Sequence, residues 1–460
     1  MNFSRRDALT AALFGGGMLG LRSLATGLPL SMLTNPRKAL ADMQGQTCTG
    51  SASAAQYIIF NTLSSGDPFG CNAPGTYGDP STGIDLSMLA HPSGTAFPAM
   101  APTPMSIGGR TLTAANAWTL LGAGDGTSAY ANVLSRTSIC HIQTNTPVHP
   151  KEPQVLELMG ATVADEMFPS VLAKSLAPCL GTLQTQPISI GAASPSEGLT
   201  YAGQALPTIP PTALGATLTN PTGPLTKLQP LRDATLQRMH DYYSNETLSV
   251  AQKQYIDSMI VSQEQVRGIA QSTLGMLSSI TSNSAANQIT AAIALILMKV
   301  SPVIAVRIPF GGDNHADTDL QGESTQTAAG FQTIVSLMQQ LASYGLADNV
   351  TFVSLNVFGR TMGPTYNNGR THNPNHQTSI MIGKGFKGSV IGGIGPVAND
   401  YGCLSIDSAS GLGKVSGGDI LPADTLASWA QTVMTGVGVD APTVNAQITS
   451  GAVIPAALAG

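Results

Sequence analysis

VIAVRIPFGGDNHADTDLQGESTQTAAGFQTIVSLMQQLASYGLADNVTFVSLNVF (303–358) is the stretch on which the fold turns. The run 303–310 is apolar and branched and predicts a buried strand. Residues 311–323 carry paired glycines and Asp/Asn turn formers, so they predict a loop. The spacing over 324–346 predicts a helix, opened by Ser324 and Thr325, with Ala328, Phe331, Val335, Met338, Leu341 and Ala342 on one stripe and Gly345 at the C-cap. Residues 350–358 predict the next strand. A strand–helix–strand of this length is a crossover between parallel strands, and such crossovers are right-handed. The class is therefore α/β.

Working outward, YIIFNTL (57–63), TSICHIQT (137–144) and TSIMIG (378–383) predict further strands, and a helix is expected across 152–176. Residues 75–130, rich in Gly, Pro, Thr and Ala, predict long loops. Residues 181–226 read as a Pro/Thr/Gly-rich excursion. The pattern over 227–299 is helical, ending in ITAAIALILM (289–298), a buried helix too short to span a bilayer. No internal repeat is visible.

The first 41 residues read as an address. Arg5 and Arg6 precede an apolar run over 8–21, and Ala39-Leu40-Ala41 resembles a cleavage signal. The pattern predicts a twin-arginine export signal, with 42–460 as a single mature domain found in the periplasm, at the cell surface or secreted. Removing 1–41 takes away five basic groups and one acidic group of the chain's 21 and 26, leaving 16 and 25, a net −9. Charged residues make up only 10% of the chain, against a usual share of roughly 25%. The surface is thus neutral-polar, with no basic footprint for nucleic acid and no membrane span in the mature chain.

Cys48, Cys71, Cys140, Cys179 and Cys403 lack C-x-x-C spacing, which argues against structural zinc. Export permits disulfides, and an odd count leaves at least one thiol outside an internal pair. Spacing does not give the connectivity. Cys48 and Cys71 are the nearest pair in sequence, and Cys140 lies in an expected strand and reads as core.

In open α/β sheets, sites form beyond the carboxyl ends of the strands. Here the first strand delivers Asp67, the second His149, and the third Asp313, His315, Asp317 and Asp319. The fourth is followed by FGRTMGPTYNNGRTHNPNH (358–376), which supplies Arg360, Arg370, His372 and His376. Asp and His together suit zinc, manganese or another divalent cation accepting O and N ligands. The alternative is a solvated D-N-H-A-D turn. Asp317 and Asp319 fit turn and helix-start roles better than ligation. His91, His141 and His240 stand apart from this group of strand-end residues and are expected to be structural. There is no G-x-S-x-G elbow, H-E-x-x-H helix or phosphate-binding G-x-x-x-x-G-K-[ST] loop.

A strand ending near S-G-D, the G-G-D-N-H loop, the helix closing near YGLADN, then F-G-R-T and N-G-R-T-H-N-P-N together resemble domain-of-unknown-function family 1501, relatives of the alkaline phosphatase/sulfatase superfamily. The similarity is strongest over 303–394, weaker over 56–80 and 137–162, and slight over 181–300. The resemblance implies a doubly wound, mostly parallel sheet with helices on both faces. It also implies a divalent-metal site for hydrolysis of phosphate or sulfate esters. Asp67 would match the first-strand carboxylate, Asp313 and His315 the D-x-H pair, and His372 the late histidine. Val357 and Thr371 stand where the family typically has acidic residues, which weakens any second cation, since hard cations depend on carboxylate charge.

Two functional readings follow. In the first, the protein is an exported hydrolase of small anionic esters holding zinc, manganese or calcium on Asp67, Asp313, His315 and His372. Arg360 or Arg370 would steady the anion, and His149 or His376 would transfer protons. In the second, the same fold is a non-catalytic envelope or extracellular protein whose neutral loops bind a partner.

Overall fold

The computed structural model describes residue 48 and residues 50–122, 133–182, 184–191, 198–219, 234, 237–238, 241–242, 271–363 and 369–460. The export signal expected over 1–41, His240 and residues 243–270 of the expected helical insertion lie outside them.

In chain order the first strands are β1 (Tyr57–Asn61), β2 (Pro102–Ile107), β3 (Arg110–Ala115), β4 (Thr137–Ile142), β5 (Ile188–Ile190), β6 (Thr200–Tyr201), β7 (Gln204–Ala205) and β8 (Thr208–Ile209). Then come β9 (Val303–Val306), β10 (Val350–Ser354), β11 (Gly359–Arg360), β12 (His372–Asn373), β13 (Gln377–Ile382) and β14 (Ser389–Ile391). The main sheet has eight strands in the order β14-β4-β13-β10-β1-β9-β5-β8. β1 pairs with β10, β4 with β14 and β5 with β8 in parallel, while β13 runs antiparallel to both β10 and β4. The sheet is mixed and largely parallel, and the α/β class holds. Every residue of β1, β4, β9, β10 and β13 is buried, as expected for strands covered on both faces.

Contacts divide the chain into two compact units. One comprises residues 1–48 and 173–304, the other residues 49–172 and 305–460. In the first, the Cys48–Cys179 disulfide closes a separation of 131 residues. Its helix Ala285–Leu297 opens on Ser284, whose hydroxyl accepts from the Asn287 N–H, and buries Ile289 and the run Ala291–Ile296. The stretch 181–226, expected as a surface excursion, supplies β5 and β8 to the main sheet and the helix Pro211–Thr219.

The second unit carries β14, β4, β13, β10 and β1. Its helix Gln321–Ser343 begins three residues earlier than the Ser/Thr pair suggests. The cause is Asp317, whose carboxylate accepts from the Gly322 and Glu323 N–H groups at 3.0 and 2.8 Å and so satisfies the first turn. Asp319 accepts from the Gln321 N–H, so both carboxylates serve the helix start, as expected. Gly345, with φ +68°, ends the helix.

The strand expected over 303–310 stops at Val306. Asn61 grips Ile308 through its side chain, accepting from the Ile308 N–H at 2.6 Å, and Pro309 has no N–H for a ladder. The helix expected across 152–176 is broken. Glu152–Leu156 is followed by single 3-10 turns, where Leu158, Met159, Ala164 and Asp165 take positive φ, before Phe168–Leu180 resumes. Within the expected loops of 75–130 lies the β2–β3 hairpin, turned by Gly108 and Gly109 at φ +59° and +77°. No helix among the described residues is long and apolar enough to cross a membrane.

Candidate metal centre

Four loops of the second unit meet at one place. The β11–β12 ladder sets Arg360 directly opposite His372. The segment after β4 brings Pro147 and His149, the segment after β9 brings Asp313 and His315, and the segment after β1 brings the carbonyls of Ser64 and Ser65. His149, Asp313, His315 and His372 each offer one ligand atom, and these four atoms lie within 4.8 Å of one another.

The imidazoles are aimed by main-chain oxygens. His149 Nδ1 donates to the Ser64 carbonyl at 2.6 Å, and His372 Nδ1 donates to the Pro147 carbonyl. A proton on Nδ1 leaves the Nε2 lone pair of each ring facing the group, the way metal-binding histidines are usually fixed by a second partner. His372 Nε2 and His315 Nε2 stand 2.7 Å apart, a hydrogen-bonding distance at which the two rings share one proton. Asp313 reaches toward both flanking rings, 3.4 Å from His315 Nε2 and 3.9 Å from His149 Nε2. Phe358 forms the floor, stacked on His372 at 4.2 Å and edge-on to His149 at 4.9 Å. Gly66, with φ +64°, passes so close that a Cβ there would lie 2.6 Å from the Phe358 ring.

Arg360 is the fifth member. Its side chain is fully buried beside the half-exposed Asp313, to which NH2 donates at 3.1 Å, and NH1 lies 3.3 Å from His315 Nε2. NH2 also donates to the Ser65 carbonyl, and the guanidinium lies 5.3 Å over the Phe358 ring. Burial lowers the Arg360 pKa, and the charge of Asp313 opposes that shift. Burial likewise holds His372 below its usual value, reinforced by the positive charge of Arg360. His372 is therefore neutral near pH 7, as a metal-binding imidazole must be.

Three imidazole nitrogens and one carboxylate oxygen form a donor set suited to zinc and acceptable to other first-row divalent ions. The residues fit one cation. They do not fit two, because Asp313 is the only carboxylate of the four and already meets a guanidinium.

The other expected site residues lie elsewhere. Asp67 is buried outside the four, its Oδ1 accepting from the Gly312 N–H at 2.9 Å. Burial raises its pKa to about 6 against the lowering pull of that N–H and of Arg360. Arg370 is buried in an ion pair with Glu323. His376 is buried against His141, Nε2 to Nδ1 2.8 Å, so His141 has the ionisable company that its sequence position did not suggest. His91 stacks on Tyr77 at 3.6 Å. Conversely, Glu323 and Phe358 had no assigned role in the sequence. The signal for Phe358 was its place beside Arg360 at a strand's end, whereas nothing in the spacing pointed to Glu323. Among the described cysteines, Cys71, Cys140 and Cys403 are free and buried.

An α/β protein with an imidazole–carboxylate cluster beyond the ends of its strands is the class these observations define. Residues 199–400 match the family model described as "Protein of unknown function (DUF1501)", the family named from the sequence. The match covers Asp313, His315, Arg360 and His372 and also runs through 199–300, where the resemblance had looked slight. No curated protein matches the chain.

Proposed function

We propose that this is an exported, metal-dependent hydrolase of small phosphate or sulfate esters, built on an alkaline phosphatase/sulfatase-like fold with a single cation on His149, Asp313, His315 and His372. The observation that carries the reading is the inward Nε2 of two rings whose Nδ1 atoms are held by carbonyls. Surface histidines that serve only solvation have no need of such anchoring. A divalent cation bound there supplies Lewis acidity to an ester oxygen. Arg360 supplies a fixed positive charge next to it, which draws an anionic ester to the cluster and takes the place of a second cation. The half-exposed Asp313 and His315 leave the cluster open to a small ligand. The disulfide supports export, because such bonds persist in oxidising compartments.

Elemental analysis of protein purified without chelators tests the reading. The expected result is about one equivalent of zinc or manganese, lost in Asp313→Ala, followed by turnover of aryl phosphate or sulfate esters. A folded wild-type protein with no metal would overturn it and leave the non-catalytic binding reading.

A further inference from the structure

We propose that Glu323 and Arg370 are positioning residues that set His315 against His372, and that neither meets a ligand. This rests on the metal reading for its consequence, though not for its geometry. Both side chains are fully buried, and they pair through Nε to Oε2 at 2.6 Å and NH2 to Oε1 at 3.1 Å.

The same groups, with Arg370 NH1, also reach four separate segments. Arg370 NH1 donates to the Thr361 carbonyl at 2.8 Å, and NH2 donates to the Ala90 carbonyl at 2.7 Å. Glu323 Oε1 accepts from Asn72 Nδ2 at 2.6 Å, and Oε2 accepts from Asn314 Nδ2 at 3.0 Å. Asn314 immediately precedes His315, Arg370 stands two residues before His372, and Thr361 follows Arg360. The main chain repeats the link, since the Arg370 N–H donates to the Asn314 carbonyl at 3.2 Å. Gly369 passes so near that a Cβ would collide with the carbonyl oxygens of Asn314 and His315.

A buried ion pair gives little net stability over apolar residues of equal volume. What this pair provides is direction. A planar guanidinium and a carboxylate each fix several partners at set angles, so the loop carrying His315 and the strand carrying His372 hold one relative height. Every guanidinium nitrogen of Arg370 is engaged inside the protein, which leaves nothing for an ester.

The test uses Arg370→Lys, which keeps the charge and loses the fork, and Asn314→Ala, which leaves the ion pair and the main-chain link but cuts the side-chain link beside His315. Leu426→Ala, a buried change elsewhere in the same unit, is the control for lost stability. Two readouts are taken at pH 7: cobalt(II) affinity by titration, and imidazole 15N resonances of metal-free protein labelled at histidine. Arg370→Lys is expected to weaken cobalt binding roughly 10–100-fold, the usual effect of losing a second-shell partner, and to shift the His315 and His372 resonances. Asn314→Ala is expected to move both readouts in the same direction by less, and Leu426→Ala to move neither. Wild-type affinity and resonances in both site variants would overturn the proposal, as would an equal loss in Leu426→Ala. If the wild type takes up no cobalt, the metal reading fails, while the resonances still decide whether the pair positions the rings.

Discussion

His141 and His376 lie against each other inside the second unit, with His141 Nε2 also donating to the Pro74 carbonyl at 3.2 Å. Burial lowers the His141 pKa from 6.5 to about 4 and holds His376 well below its usual value. Between pH 6.5 and 4 the unfolded chain therefore binds protons that the folded chain refuses, and stability falls as pH falls through that window, by about 3 kcal/mol for His141 alone. Asp67 acts with the opposite sign. Its folded pKa of about 6 lies above its value of 3.8 in the unfolded chain, so stability falls as pH rises from 3.8 to 6, again by about 3 kcal/mol. The two largely cancel near pH 5. Asp67→Asn removes one of them, and urea midpoints at pH 7, 5.5 and 4.5 should then drop far more steeply than in the wild type. Parallel profiles for the two proteins would show that neither burial term operates.

At this scale the sequence was legible where chemistry forces company. Asp313, His315, Arg360 and His372 could be singled out because each lies just past a strand, and the structure brings them together. Arg370 and His376 share the same polar loop, yet both turn inward. Loop composition does not reveal direction, and the partner that draws Arg370 in, Glu323, stands 47 positions away as the sole acidic residue of a first helical turn.

Among the elements, the helix Gln321–Ser343 shows what local pattern can and cannot specify. Its stop is written locally: Gly345 takes φ +68°, and a Cβ there would meet nothing within 4 Å. Gly345→Ala should therefore cost about 1 kcal/mol through backbone conformation alone, and Gly345→Asn less, because Asn tolerates the left-handed region. Urea unfolding checks this, and an Ala variant as stable as the wild type would contradict it. The start is not local, because Asp317 folds back across four intervening residues to meet Gly322. The β2–β3 hairpin was readable in principle. Two glycines between branched and apolar residues are a two-residue turn signal, hidden here by the Pro and Thr content around it.

For the molecule as a whole, the crossover 303–358 announced the α/β class, and β1, β4, β10 and β13 appeared near their expected places. The antiparallel insertion of β13 did not, since strand order depends on contacts remote in sequence. The Cys48–Cys179 bond was likewise beyond spacing, which favoured no pair over another that it could test. Reduction of this bond should lower stability by roughly 2–4 kcal/mol, because it closes a long loop in the unfolded chain. Thermal unfolding with and without reductant measures the effect, and a Cys48→Ser/Cys179→Ser variant should match the reduced protein. Unchanged midpoints in both would mean the bond adds nothing to the folded state.

The carbonyls that aim the rings carry a consequence for how this chain can vary. Ser64 and Pro147 give the cluster a main-chain oxygen, and every residue type has one. The spelling at those positions is therefore nearly free for this purpose, whereas the count is not. β1 and β10 run in register, with Asn61 beside Ser354, so their following loops leave the sheet at one height. A single-residue insertion between Asn61 and Ser64 would carry the oxygen that holds His149 out of reach, although every side chain of the cluster remained. Deletion and insertion scanning should find these short connectors as intolerant as His149 itself, while substitution scanning of Pro147 finds it permissive.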